Sequence, residues 1–468
     1  MTFRRTTLIT IGCVAALAGL GLSRKISLNF QDWWLIFLPL LALLKPKNKT
    51  SLVLAILLGL GLGLWRGNLY MQKLADLKSY AGKTVTLNAT ATTDAIYSAN
   101  YQMEFNASNA SLAGNNHPLA GSFKISGFGT NMVYRGDRLR VTGKLYPTRG
   151  ANQARISYAQ VGVTGQDTSI INRLTRKFSA GMQSALPEPQ ASFALGLLIG
   201  QRSTLPQEIV AALTLVGLVH IVAVSGYNVT ILARAAARLR LGSKYQQLML
   251  SIVLIIGFVL VTGFSASIVR AAIVSILTLW AWFYGRKIRP VLLLSFTAAL
   301  TGLVSPFYVW SDLGWYLSFL AFFGIILVAP VITNKLFRRS PKLVGMVVIE
   351  TLCAEIMTLP LIMVTFSQAS IVALVANLLV VPLVPLAMLL SAIAATAGAL
   401  FPAAAGWLAW PAKELLTYML DIAHLLAHLP FAAKQVGLTW ASMAFVYFIL
   451  GLMALAINHS LTRRKQTI

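Results

Sequence analysis

Apolar runs, most of them close to 20 residues long, recur along this chain, and no other feature constrains its fold as much. They fall near 7–22, 32–44, 51–66, 246–264, 267–284, 290–305, 315–334, 343–362, 370–400 (a broken or double segment) and 438–458. A helix needs about 20 apolar residues to cross the hydrocarbon core of a bilayer, and every backbone polar group must be satisfied within it. Of the 468 residues, 57% are hydrophobic and 11% are charged, against about a quarter charged in soluble domains. The pattern predicts a polytopic α-helical membrane protein.

The formal net charge is +26. Cytoplasmic loops carry a Lys/Arg excess, so the clusters Arg234–Lys244, Arg286–Arg289, Arg338–Lys342 and Arg463–Lys465 are expected inside. With Arg4, Arg5 and "KPKNK" (45–49) also inside, three crossings leave the chain outside at about residue 67. The N-terminus has the basic start and apolar middle of a signal peptide, but no small-x-small cleavage site precedes Arg24 and Lys25. A retained first helix is expected. Cys13 and Cys353 sit in apolar segments, build no CxxC site or disulfide framework, and are expected to be small core residues.

Between 67 and 170 the chain turns polar and rich in Thr, Val and Tyr. Alternation in "TVTLNATAT" (84–92) and "DRLRVTGKL" (137–145) signals strands. Five or six short strands in about a hundred residues suggest a small barrel or sandwich. The expectation is an inserted, extracytoplasmic β domain over 67–170, after N-terminal transmembrane helices over 1–66. An amphipathic linker helix over 171–190 follows, with Ile170, Ile171, Leu174, Phe178 and Met182 toward a lipid surface or a neighbouring domain and Arg173, Arg176 and Lys177 opposite. A transmembrane domain over 191–460 and a basic cytoplasmic tail over 461–468 complete the expected organisation.

Polar residues inside the apolar region are the candidates for function. "HIVAVSGYNVTIL" (220–232) carries His220, Ser225, Gly226 and Asn228. Non-helical backbone at membrane depth survives only where protein buries it or water lines it. A discontinuous helix beside a polar path is one reading; a kink with His220 and Asn228 bonded to neighbouring helices is the other. "TGFSASIVRAAIV" (262–274) holds Ser265 and Arg270, "VIETLCAEIMTLP" holds Glu350 and Glu355, and Asn377 lies in "LVANLLVVPLVP". An ionisable group in a bilayer costs about 2.5–3.5 kcal/mol on insertion scales and usually faces a cavity or a partner. Arg270 is expected to line a path for phosphates, to pair with Glu350 or Glu355, or to snorkel to the interface.

The β region adds "YRGDRLRVTGKLYPTRGANQAR" (134–155), with Arg135, Arg138, Arg140, Lys144, Arg149 and Arg155 interleaved with Tyr134 and Tyr146. Basic groups track a phosphate backbone and aromatic rings stack bases, so these residues, with Tyr97 and Tyr101, form a candidate DNA-binding surface. A solvated basic face with core tyrosines is the alternative. His424 and His428, four apart beside Asp421, have metal-ligand spacing but no visible third strong ligand. Neither a metal nor another cofactor is expected. No Walker loop, hydrolase elbow or dinucleotide fingerprint appears in credible context, so no catalytic residues and no enzyme activity are expected.

Four ordered blocks resemble the ComEC family of bacterial competence proteins: "LGLLIGQRSTLPQEIVAALTLVGLVHIVAVSGYNV" (195–229), "TGFSASIVRAAIV", "DLGWYLSFLAFFGI" (312–325) and "TLPLIMVTFSQASIVALVANLLVVPLVP" (358–385). The resemblance implies a polytopic α-helical membrane protein whose inserted extracytoplasmic β domain is an OB-like barrel, with "GDRLRVTGKL" (136–145) in the expected style, and an inner-membrane channel for single-stranded DNA in natural transformation. It implies as partners a surface DNA receptor, a separate nuclease, and a cytosolic helicase or single-strand-binding protein, with membrane lipid around it and oligomers allowed. Two departures stand out. Gly-Tyr-Asn (226–228) replaces the family's Gly-Leu-His, and the metallo-β-lactamase-like domain that ends many members has no HxHxDH counterpart here. The rival function is a transporter or membrane enzyme acting on another anionic polymer or lipid.

Overall fold

The computed structural model describes residues 3–26, 49–97, 102–114, 117–128, 133–148, 152–201, 204–222, 226, 228–229, 231–232, 236, 243–263, 266–286, 289–336 and 343–452. Among these, six helices are long and apolar enough to cross a membrane: Arg5–Leu22, Lys49–Ser79, Lys244–Thr262, Leu313–Thr333, Val348–Phe366 and Ala373–Leu400. Shorter apolar helices span Gln190–Ile199, Ser267–Phe283, Pro290–Val304 and Trp440–Leu452. The protein is a multi-pass membrane protein with an N-terminal sheet region. Helix Lys49–Ser79 runs on past the expected domain boundary at 66/67 and ends four residues before the first strand.

The chain forms two compact units, each assembled from separate stretches: 1–177 with 232–315, and 178–231 with 316–468. In the first unit, helix Arg5–Leu22 meets helix Lys49–Ser79 through small residues. A Cβ added to Gly59 would lie 2.2 Å from the Gly12 carbonyl oxygen, and one on Gly63 would lie 2.1 Å from that of Ala16. Where lipid is as apolar as the side chains, close backbone approach and van der Waals contact drive helix association, and Gly at every fourth position permits it.

The sheet grows from period-two alternation. Strands β1 (Thr84–Ala91), β2 (Ile96–Tyr97), β3 (Met103–Leu112), β4 (Pro118–Leu119), β5 (Phe123–Phe128), β6 (Arg138–Pro147) and β7 (Ala154–Gly165) follow one another. β1 pairs with both β3 and β6, β6 with β7, β7 in parallel with β5, and β5 with β3. Those five pairings return to their starting strand. Leu87, Phe105, Phe123, Ile125, Leu139, Val141, Leu145 and Ile156 fill the enclosed face, each no more than 3% exposed.

The second unit packs helices Gln190–Ile199, Val384–Leu400 and Ala405–Ala427 around one apolar core. The last of these was not among the expected spans, because Lys413, Glu414 and Asp421 interrupt its hydropathy. Seven of its buried residues, Ala405, Ala409, Ala412, Leu416, Met419, Ala423 and Leu426, nevertheless step by alternate fours and threes, and Leu420 widens the same face, the spacing of a helix with one buried stripe. Gly181 and Gly398 let helices Ile170–Ala185 and Val384–Leu400 touch: a Cβ on Gly398 would lie 2.0 Å from the Gly181 carbonyl oxygen. Met182, expected toward a lipid surface or a neighbouring domain, is fully buried, whereas Ile170 and Leu174 on the same helix are exposed.

Candidate nucleic-acid interface and membrane-region polar groups

On β6, Leu139, Val141 and Leu145 face the core, so Arg138, Arg140, Thr142, Lys144 and Tyr146 share the outward face. Successive side chains on a strand point to opposite faces at about 3.3 Å per residue, which makes this a straight row of three cations ending in an aromatic ring. Asn88 and Thr90 of β1 lie opposite Arg140 and Arg138 and extend the row sideways with polar groups. Sequence reasoning did not single out these two, although the alternation of β1 carries the signal. On the other flank, Tyr146 pairs with Arg155 of β7. Arg155 stands 4.0 Å from Glu104, which also binds Lys124 at 2.8 Å, so its charge is partly balanced.

Arg135 stands apart from the row. Its guanidinium donates to the carbonyls of Val261 (2.8 Å) and Leu260 (3.0 Å), the last turn of helix Lys244–Thr262. Those carbonyls lack intrahelical partners, and a cation there also complements the helix dipole. Arg135, expected on the DNA surface, has its fork engaged by the helix end. Gly263 follows with φ +89°, and a Cβ on it would meet the Arg135 guanidinium carbon at 2.4 Å. The Arg135 backbone N–H donates to Asp94 Oδ1 at 2.8 Å. Burial pushes the Asp94 carboxyl up and the Arg135 guanidinium down from their ordinary values, and the attraction between them opposes both shifts. Arg66 repeats the device, donating to the carbonyls of Leu303 (2.7 Å) and Val304 (2.9 Å) at the end of helix Pro290–Val304. Tyr97 lies in β2 opposite Met103. Tyr101 and Arg149 lie outside the described residues.

Among the membrane-region candidates in the first unit, Arg270 is 1% exposed and donates to the Gly314 carbonyl at 3.0 Å. Asp312 lies in electrostatic range of it. Asp312 also accepts the Trp315 backbone N–H (3.2 Å), and the Trp315 indole donates to Thr301 Oγ1 (3.0 Å). Two of the sequence blocks, 262–274 and 312–325, thus meet through Arg270 and Gly314. Ser265 lies outside the described residues.

The second unit holds the others. Gly217 adopts φ +78° after helix Gln207–Leu215, and a Cβ there would lie 2.9 Å from Ala373 Cβ. Its carbonyl is 2.9 Å from Nδ1 of His220. A carbonyl only accepts, so Nδ1 carries the hydrogen and Nε2 of the exposed ring is left as an acceptor in the neutral form. Asn228 is 1% exposed and its amide donates to the Leu197 carbonyl at 2.9 Å, near the end of helix Gln190–Ile199. Both ends of the first block are joined by that bond. Gly226 is helical and half-buried, and Ser225 lies outside the described residues. Glu350 and Glu355 are half-buried on helix Leu343–Phe366, and Asn377 is buried on helix Ala373–Val380. Among the described residues Glu355 Oε2 and Asn377 Oδ1 have no hydrogen-bond partner. The rings of His424 and His428 lie 5.6 Å apart between centroids, tilted by 31°, and no group of three or more His, Cys, Asp or Glu with metal-binding geometry occurs among the described residues.

A family model described as "Competence protein" matches residues 197–461, more than half of the chain, including Asn228, Arg270, Asp312 and Asn377. The chain belongs to the competence protein family. A curated relative, ComE operon protein 3 of Bacillus subtilis (strain 168), is 27% identical over 214 residues, which make up 45% of this chain and 27% of that relative. The match therefore spans about a quarter of that relative's length. No solved structure matches the chain. The competence match begins after β7, so the sheet region lies outside it.

Proposed function

We propose that this competence protein is the channel that passes single-stranded DNA across the bacterial inner membrane, and that its sheet region is an OB-like barrel that receives the strand outside the cytoplasm. The observation that carries the reading is the outward row Arg138, Arg140, Lys144 and Tyr146 on β6. Cations at every second or fourth residue match a flexible phosphate backbone, and a ring at the end offers a stacking face. The ring of strand pairings, with one parallel pair among antiparallel ones, supports a five-stranded barrel. The crossing count from Arg4, Arg5 and the 45–49 cluster supports an exterior barrel.

The strand enters from the barrel, and the polar groups of the family region, His220, Asn228, Arg270, Glu355 and Asn377, serve its route. The chain does no chemistry on the DNA. A surface receptor delivers duplex, a separate nuclease removes one strand, and a cytosolic helicase or single-strand binder supplies direction.

Binding of a labelled single strand to the full chain in detergent tests this. Replacing Arg138, Arg140 and Lys144 by Ala together should weaken binding and flatten its salt dependence, since each phosphate contact contributes about 0.7 to the slope for single strands. Unaltered affinity and slope would remove the β6 row from the argument. Equal competition by an anionic glycan or lipid would favour a transporter for another anionic substrate.

A further inference from the structure

Beside the basic row, the backbone does something that packing of the sheet does not require. Thr142 of β6 lies opposite Gln160 of β7, and Lys144 opposite Ser157, so Tyr158 and Ala159 together face the single residue Gly143. The same slip occurs against β5, where Ile125 lies opposite Ile156 but Gly127 opposite Ala159. β7 therefore carries a bulge, and Tyr158 takes its left-handed position at φ +54°. Glycine adopts that conformation freely, whereas a bulky residue there is strained.

The surroundings are shaped to accommodate the bulge. A Cβ on Gly127 would lie 2.0 Å from the Ala159 carbonyl oxygen, and one on Gly143 would lie 2.7 Å from Ile156 Cγ2. Two glycines yield to the bulge, yet the residue at its apex is a tyrosine. Ala159 continues into the core at 1% exposure, while Tyr158 is 77% exposed, the most exposed large hydrophobic residue among the described residues of the sheet. Strained residues persist where the surrounding structure over-determines them, and they cluster at ligand sites.

We propose that Tyr158 is the base-stacking residue of this surface, holding one unstacked base of a single strand while Lys144, Arg140 and Arg155 take the phosphates. Lys144 lies opposite the preceding residue, Ser157, and Arg155 stands two residues further back on the same strand. A ring projecting from a bulge between cations presents a face for a planar base. The inference rests on the reading of the sheet as the DNA-receiving surface and adds the residue that distinguishes a strand with bases from a bare polyanion.

The full chain in detergent is titrated with a fluorescent oligo-dT and with a matched abasic oligomer of the same charge. Tyr158→Ala and Tyr158→Gly should each lower oligo-dT affinity about five-fold or more, the range for loss of one stacked base. Abasic binding should be unchanged, and Tyr158→Phe should restore oligo-dT binding. Tyr158→Gly also removes the backbone strain, so its melting temperature should match or exceed that of the parent, which separates lost binding from lost folding. Oligo-dT affinity unchanged in both Ala and Gly variants would overturn the role of Tyr158 alone. A parent protein that binds neither oligomer would overturn the reading on which it rests.

Discussion

Arg135 and Arg138 sit three residues apart in one basic segment, yet their side chains serve different ends. Arg138 is exposed on a strand, and its replacement by Ala should change stability by no more than about 0.5 kcal/mol, as at surface sites generally. Arg135 bonds two helix-end carbonyls from a partly buried position, and hydrogen bonds to charged groups contribute about 1.5–3 kcal/mol before solvent screening. Arg135→Ala should therefore cost about 1–2 kcal/mol. Arg135→Lys should recover only part, because one ammonium does not reproduce a planar fork. Thermal melts of the three variants in detergent decide this; equal melting points for Arg135→Ala and Arg138→Ala would refute the clasp. The basic, aromatic composition of 134–155 was legible because alternation fixes which residues face outward. The clasp was not, because the carbonyls that hold Arg135 lie about 125 residues away along the chain. The same holds for Arg270, whose partner Gly314 is 44 residues away.

At the scale of elements, apolar length was the strongest signal, and the helices over 244–262, 290–304 and 373–400 lie close to where hydropathy put them. Helix Ala405–Ala427 was missed because its charges lower the average, while the stripe of Ala, Leu and Met that buries it was present in the spacing. Glycines were harder to read. Gly63 and Gly21 look alike in sequence, but a side chain on Gly63 would strike the Ala16 carbonyl and the Leu20 amide, whereas one on Gly21 would meet nothing within 4 Å. Helix Arg5–Leu22 must move away from helix Lys49–Ser79 to admit Gly63→Leu. Overpacking of this kind costs about 1–3 kcal/mol, and more where backbone is the obstacle. The variant should lower the melting temperature or fail to accumulate, and Gly21→Leu should behave as the parent does. Comparable stability of the two would mean that the close approach of the helices does not hold the first unit together.

At the scale of the whole molecule, linear order hides the assembly. The segment 178–231, which carries the first family block, joins residues 316–468, and the sheet joins residues 232–315, which carry the second block. No periodicity reports such an exchange, since it depends on contacts between distant stretches. The consequence is that the basic row of β6 and Arg270 belong to one unit, while Asn228, His220 and Asn377 belong to the other. The proposed function needs both, so it makes a prediction that neither binding nor stability alone can test. In competent cells lacking this protein, fluorescent DNA should gather outside the cytoplasm and stay there, and a restored copy should return entry. A copy with Arg138, Arg140 and Lys144 replaced should accumulate normally but admit fewer DNA molecules, because capture fails ahead of passage. Asn228→Ala should leave binding by the sheet intact and still block entry, because its bond to Leu197 holds the family block rather than the strand. Counting cells with cytosolic DNA under the microscope separates these steps. Normal entry without the protein would turn the reading toward another anionic substrate, for which the same arginines would serve.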